Sequence, residues 1–564
     1  MVYDDMFRRM GLAALVALAC CGKSDVKNGG LKGSAEPSQP VARPTFTVFG
    51  VAELRGQIGP CGCTSDPLGD LSRTAKLVVD ARAAGPTLFV DAGSLLYSKS
   101  PIPPHLAAQE ELKADLLART YKDRLQVAAI GLGPADVVNG PEQLRLPRQA
   151  ANAKQGVPPE VIAIGGTQVG VFGVVAPEAI AGFGLAEPVA AAKASVADLR
   201  KRGATLVIGL VQAPTRKDAA RLVREIGGID LAIAGLGINT PEPERVEHEA
   251  QKIDNAWLVV PANRGQVIAR VDVTVRGPGP LVDAGGVGVA KAKLETIDRR
   301  LAGLDADLTA FAKDPAADKA FVAQKQAERA ELAAERERLK TQPFTIPATG
   351  NYFTLELVRV SKGLACDEAV HSDVTRFYRL AGEANVKAAA GVKPPPPLKG
   401  QPGYVGDDQC ADCHEDAVEF WKTTRHAGAW KTLVDRGQQF DFDCIGCHVT
   451  GWAQRGGANL AFNEPLRDVQ CETCHGPASI HLAKLGEDRP VSVKRAPPED
   501  LCATQCHTKE HSDTFEWKAY MRDVTGPGHG AALRKKLGPG PTGGQLRKAA
   551  LDKAGRTLGA GCAR

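Results

Sequence analysis

The chain is 564 residues long, 43% hydrophobic and 24% charged, a length that suggests three or four domains. Its formal charge is +5, but eight Lys or Arg against one Asp lie after Gly530. The remainder is therefore slightly acidic, and nothing favours nucleic acid as a partner.

Residues 1–21 read as an export signal. Residues 1–5 are polar and acidic, so translation from Met6 makes Phe7-Arg8-Arg9 the positive end. The apolar run 11–19 is too short to span a bilayer and is followed at once by Cys20-Cys21-Gly22. Small or aliphatic residues before a cysteine resemble a bacterial lipoprotein cleavage site. That implies lipid on Cys20 or Cys21 and anchoring at the outer membrane; an ordinary secretory signal is the alternative. Either reading predicts an exported protein, in the periplasm or at the outer membrane. Residues 22–44 are rich in Gly, Ser, Lys and Pro and read as a flexible tether.

From 45 to 280, apolar runs at 46–49, 87–90, 161–164, 169–174, 206–211, 231–234 and 258–260 alternate with helical patterns at 71–83, 110–123, 189–202 and 217–226. This alternation predicts an α/β domain with covered sheets. The stretches "GQIGPCGCTSDPLGDLSR", "LFVDAG", "VGVFGVVAP" and "GGIDLAIAG" resemble the metallophosphatase domain of the UDP-sugar hydrolase and 5′-nucleotidase family. The resemblance implies two divalent metals, held by Asp and His at strand ends, that activate water. Position by position those ligands are replaced. Asp-x-His-Gly reads Glu53-Leu54-Arg55-Gly56, and Gly-Asp reads Gly93-Ser94. Gly-Asn-His-Glu reads Gly133-Pro134-Ala135-Asp136, the single histidine reads Gln212, and Gly-His-x-His reads Gly235-Leu236-Gly237-Ile238. Arginine, leucine, alanine and proline do not bind Mg²⁺, Mn²⁺ or Zn²⁺. The expectation is a pseudoenzyme with no phosphatase-type metal and no catalytic residues. His105 and His248 read as solvated. Cys61 and Cys63 pair poorly with each other, and a bridge from one of them to Cys366 is expected.

In 281–342, Leu294, Ile297, Leu301, Leu304, Leu308 and Phe311 follow a heptad pattern. Asp314-Pro315 breaks that helix, and a second one, 318–340, carries Phe321, Leu332 and Leu339. The resulting antiparallel hairpin packs internally or, through 291–340, dimerises the protein. A β-run at 353–360 and a helix at 367–386 form a return segment, 343–390. Lys393-Pro394-Pro395-Pro396-Pro397 then stiffens a linker, 391–403. The tail 531–564 is basic, glycine-rich and expected to be disordered. It reads as a solubilising end or as a dock for an acidic redox partner or anionic head groups. Cys562 within it has no assigned partner.

The chemistry concentrates in 404–530. Cys410-Ala411-Asp412-Cys413-His414, Cys444-Ile445-Gly446-Cys447-His448 and Cys471-Glu472-Thr473-Cys474-His475 are C-x-x-C-H motifs. A looser copy follows, Cys502-Ala503-Thr504-Gln505-Cys506-His507. Such motifs attach c-type haem: two thiols form thioethers and the adjacent histidine ligates iron. A zinc knuckle, a disulfide or a redox dithiol does not need histidine after the second cysteine every time. Four c-type haems are therefore expected, attached at Cys410, Cys413, Cys444, Cys447, Cys471, Cys474, Cys502 and Cys506. His414, His448, His475 and His507 are the expected proximal ligands. Eight of the eleven histidines lie in this window, leaving His426, His481, His529 and, less favourably placed, His511 as candidate distal ligands. His426 falls on a helix predicted over 415–434, and His511 reaches only a neighbouring haem.

"YVGDDQCADCH", "RHAGAW", "DCIGCHVTGW", "VQCETCHGPASIH" and the closing "HG" resemble the small tetrahaem cytochromes of nitrification, relatives of hydroxylamine oxidoreductase. The resemblance implies stacked haems in a mostly helical wrap, with His426, His481 and His529 as distal ligands and one haem five-coordinate. The expected fold is multidomain: a degenerate α/β metallophosphatase-like sandwich, a helical hairpin and a mostly α tetrahaem cytochrome c domain. The expected function is electron transfer in the cell envelope with redox partner proteins. The alternative is an oxidoreductase acting on a small nitrogen or sulfur compound at a five-coordinate haem.

Overall fold

The computed structural model describes residues 44–60, 64–138, 140, 144–313, 318–487, 492–509, 511–555 and 557–562. The export signal, most of the tether, Cys20, Cys21, Cys61, Cys63 and the Asp314-Pro315 break lie outside the described residues.

Runs of β-branched and aromatic residues form strands where both faces are covered. These are Phe46–Val51 (β1), Thr87–Asp91 (β2), Ala129–Ile130 (β3), Glu160–Ile164 (β4), Thr167–Val175 (β5) and Leu206–Gln212 (β6). Leu231–Gly235 (β7), Gln251–Ile253 (β8), Ala256–Val259 (β9), Val267–Thr274 (β10), Leu281–Asp283 (β11) and Asn351–Arg359 (β12) follow. They make two six-stranded sheets, ordered β11-β12-β10-β1-β2-β3 and β4-β5-β6-β7-β9-β8. β1 lies parallel to β2, with Phe49 opposite Phe89, and antiparallel to β10, with Val48 opposite Val271. Phe46, Val48 and Val90 of one sheet bury against Val171, Ile208 and Ile233 of the other.

Helices cover the outer faces. Leu71–Ala84 (α1) starts at Asp70, whose carboxylate accepts from the Ser72 and Arg73 N–H groups. Ala107–Arg119 (α2), Pro188–Lys201 (α3) and Arg216–Ile226 (α4) follow, the last capped by Thr215. Val287–Phe311 (α5) and Lys319–Thr341 (α6) form the hairpin. Ala290, Ile297 and Leu339 are buried in it beside Leu294, Leu301 and Leu332, and Phe311 meets Phe321 at 5.7 Å.

Three expectations, on the return segment, the tail and Cys366, are corrected. The return segment belongs to the sandwich itself: β12 pairs with β10 and β11, and Glu368–Ala389 (α7) packs Val370, Val374 and Phe377 into the core beneath α1 and α2. The tail is ordered rather than disordered. Its helices Ala531–Leu537 and Gly543–Ala554 are held by Arg522, whose guanidinium donates to the carbonyls of Leu537, Gly538, Pro539 and Pro541. Cys562 is disulfide-bonded to Cys366, so the partner of Cys366 is neither Cys61 nor Cys63. The tail's composition reads as disordered because the groups that fix it, Arg522 and Cys366, lie outside it.

In the C-terminal part, Ala411–Lys422 (α8) and Ala429–Val434 replace the single helix predicted over 415–434. The Thr423 and Thr424 hydroxyls turn back onto the Phe420 and Trp421 carbonyls, ending α8 before His426. Short helices and turns make up the rest around a small core of Ile445, Val449, Ala458, Leu460 and Leu466. The proline linker is strapped to the loop below it: Gly456 N–H donates to Pro395 O and the Asn459 amide to Val392 O. Among the described residues, no helix is long and apolar enough to cross a membrane.

Candidate functional site

Each cysteine motif sits on a short helical turn. Cys413 and His414 lie in α8, where His414 departs from helical geometry at φ −127°. Cys444 lies in the turn Phe442–Ile445, capped by Asp441, which also accepts a hydrogen bond from the Cys444 thiol at 3.6 Å. Cys471–His475 is a single helical turn. In the fourth motif the extra residue is absorbed by a wider loop of chain, with His507 N–H donating to Cys502 O at 2.7 Å.

None of the eight motif cysteines is disulfide-bonded. Cys410 lies beside Cys471, Cys447 beside Cys506, and Cys474 beside Cys502. The first motif therefore adjoins the third, the third adjoins the fourth, and the fourth adjoins the second.

The histidines group in the same way. His414 and His481 lie with ring centroids 6.5 Å apart and nearly parallel; His426 and His507 lie 6.3 Å apart, tilted by 38°. Two imidazoles on one metal ion put their centroids about 6 Å apart, twice a ~2 Å metal–nitrogen bond plus ~1 Å to each ring centre. Both pairs fit an iron between them. His529 is within electrostatic range of His475, with its ring edge-on to Phe420. His448 has no imidazole paired with it among the described residues.

Backing hydrogen bonds orient the proximal rings. His448 Nδ1 meets Ala429 O, and His475 Nδ1 meets Lys494 O, each at 2.6 Å; His507 Nδ1 meets Ser512 Oγ at 3.2 Å. A carbonyl accepts only from N–H, so Nδ1 carries the proton in His448 and His475 and Nε2 is left as the ligating atom. Burial pushes His507 down to about 4, leaving its ring neutral, as a metal ligand must be. Burial likewise lowers His426, His448 and His529. His511 is not placed opposite any proximal histidine; it lies near Arg264 of the sandwich and Asp443, one residue before Cys444.

The five stretches matched to phosphatase ligands also converge. Glu53, fully buried, accepts from Gln212 Nε2 at 2.8 Å and from Gly237 N–H at 3.1 Å. Asp136, also fully buried, accepts from Gly133, Leu95 and Arg148, and Ser94 Oγ accepts from Ala135 N–H. Protein donors thus surround the Glu53 and Asp136 carboxylates. Burial raises Glu53 to about 7, against the opposing pull of Gln212. Asp91 is raised to about 7 by burial despite bonds from Tyr121 and Gly93. Among the described residues, no group of three or more His, Cys, Asp or Glu is arranged to hold a metal ion.

Sequence reasoning missed the residues joining the two parts. Gln109 donates to Asp441 at 2.7 Å, and Lys113 donates to Asp443 at 3.1 Å and to Glu110 at 2.8 Å. A Glu and a Lys three apart on a helix look like an ordinary surface pair, and no signal in the sequence marks these as buried.

A sequence model of the family described as cytochrome c554 and c-prime matches residues 409–476. Cytochrome c-554 of Nitrosomonas europaea is 33% identical over 117 residues, 17% of this chain and 50% of that protein. The chain thus spans about half the length of the curated relative it matches. Among solved structures, a sulfate thiohydrolase from Thermus thermophilus in complex with glycerol is similar at 16% identity, over 42% of this chain and 55% of that one, with a TM-score of 0.34. A putative 5′-nucleotidase from Staphylococcus aureus is similar at 19% identity, over 41% of this chain and 51% of that one, with a TM-score of 0.33. The match over residues 409–476 agrees with the tetrahaem cytochrome resemblance read from the sequence there.

Proposed function

We propose that this chain is a cell-envelope electron-transfer protein in which four c-type haems are joined to a phosphatase-like sandwich without metal chemistry. The observation that carries the reading is the pairing of imidazoles at the span of a six-coordinate iron, next to C-x-x-C-H turns. His414 and His481 would hold one haem, His507 and His426 a second, and His475 and His529 a third, with the neighbouring cysteines forming the thioethers. His448 would hold the fourth. When bound, each haem supplies a one-electron couple at its iron. The chain's own residues fix the imidazoles, exclude water and set the spacing of neighbouring sites.

Covalent haem attachment takes place outside the cytoplasm, which agrees with the signal read over 1–21 and with a lipid on Cys20 or Cys21 holding the protein at the outer membrane. Redox proteins of the envelope are the partners. The sandwich acts as scaffold: Gln212 and backbone N–H groups occupy the carboxylate that a metal would need.

The experiment is spectroscopy on protein matured with its haems. Four irons per chain, three low-spin and one high-spin ferric component, and one CO-binding haem after reduction are expected. Colourless, iron-free protein overturns the reading. A second reading is favoured by the unpaired His448: an open iron position that turns over a small nitrogen or sulfur compound. Steady-state turnover of such a compound, abolished in His448→Met, selects it over simple electron carriage. With added Mn²⁺ and nucleotide substrates no phosphate release is expected; release overturns the scaffold role.

A further inference from the structure

We infer that the phosphatase-like sandwich is the positioning element for the haem of Cys444, Cys447 and His448, acting through Lys113 and Gln109. The inference rests on the reading of the motifs as haem sites. The approach to the second motif is embedded in the sandwich residue by residue. Phe440 packs over Gly382, and its carbonyl accepts from Asn385 of α7 at 2.9 Å. Asp441 accepts from Gln109 of α2, and Phe442 stacks edge-on to His105 at 5.3 Å. Asp443 accepts from Lys113 of α2.

The charges make this contact more than packing. Lys113 is 5% exposed and Glu110 not at all, so the ammonium is locked between Glu110 and Asp443. Asp441 is buried as well, and it caps the turn that carries Cys444. One buried cation thus offsets three carboxylates next to a haem attachment point. The stem of Lys113 also backs the first loop of the former metal centre: a Cβ on Gly56 would stand 3.4 Å from Lys113 Cδ. The loop that holds metal in a phosphatase here braces the lysine that reaches the cytochrome. Lys113 and Gln109 are positioning residues, since they act through Asp441 and Asp443.

An electron arriving at iron adds negative charge, so a nearby cation favours reduction and a nearby carboxylate opposes it. The test is a redox titration of the full haem-loaded chain, with the His448 haem identified as the component that changes in His448→Met. Lys113→Met is expected to move that component to lower potential and Asp443→Asn to higher potential. Lys113→Arg is expected to leave it in place, and the three low-spin components stay where they are in every variant. Should Lys113→Met fail to accumulate, the Asp443→Asn shift decides alone. Equal shifts of all components, shifts of the same sign, or no shift overturn the inference. Haem content measured in the same samples separates the two readings: four haems with an unmoved component defeats only this inference, whereas no haem defeats the reading beneath it.

Discussion

Replacing Glu53 by glutamine tests whether this buried carboxyl works protonated, held by protein donors. The Glu53 carboxyl is fully buried, with Oε1 accepting from Gln212 and Gly237 and Oε2 lacking a partner among the described residues. Burial raises it from 4.5 to about 7, so the folded protein holds a proton there that the unfolded chain has already released. Between those pH values the native state binds more protons, and stability falls as pH rises, levelling above 7. At ~1.4 kcal/mol per tenfold change, the loss from this one group is on the order of 3 kcal/mol. Glutamine copies the shape of the protonated acid and cannot ionise. Glu53→Gln should therefore match the wild type near pH 4.5 and exceed it by roughly 3 kcal/mol at pH 8. Asp91 titrates in the same window in both proteins, so the readout is the difference between them. Urea unfolding followed by fluorescence suits the assay, because Trp257 is the sandwich's own tryptophan and the other four lie among the haem sites. A variant less stable than wild type at pH 8 would refute the argument, since it would mean that Glu53 works ionised, as a metal ligand does.

Loss of the Cys366–Cys562 bridge releases a loop with a sequence separation of 196. Chain entropy puts an upper bound of about 5 kcal/mol on that closure. Cys366→Ser should lower the unfolding midpoint and speed proteolysis within 531–562; an unchanged cleavage rate counts against the bridge. His426→Ala removes the ring facing His507. One low-spin ferric signal should become high-spin and a second haem should bind CO, whereas an unaltered spectrum refutes that pairing. Gly528 has φ +81°, and a Cβ there would stand 2.5 Å from Ala417 Cβ. Gly528→Ala should cost about 1–3 kcal/mol and pull His529 away from His475, read as loss of another low-spin component.

The sandwich was legible where covered strands are uninterrupted apolar runs, as in Leu206–Gln212. β10 escaped because Arg270 and Asp272 break its run, although they pair with each other at 3.1 Å on its more exposed side. Glu53, Gln212 and Gly237, aligned from separate stretches of the sequence, do meet in the fold, because each lies at or just beyond a strand end. The imidazole pairs were only half legible. Spacing identifies His414 and His507, which each follow a cysteine, but the partners His481 and His426 lie dozens of residues away and are chosen by the fold. The disulfide and the Lys113–Asp443 clamp join residues hundreds of positions apart, and neither partner carries a local signature.

The bridge also dictates a timetable. Cys366 is synthesised before the eight thiols destined for porphyrin, and Cys562 after them all. An oxidant acting early offers Cys366 only wrong sulfurs, and any such pairing removes a thiol that pigment attachment requires. On the function proposed above, porphyrin ligated first and the last covalent bond drawn afterwards avoids that loss, like a clasp that fastens only round a finished necklace.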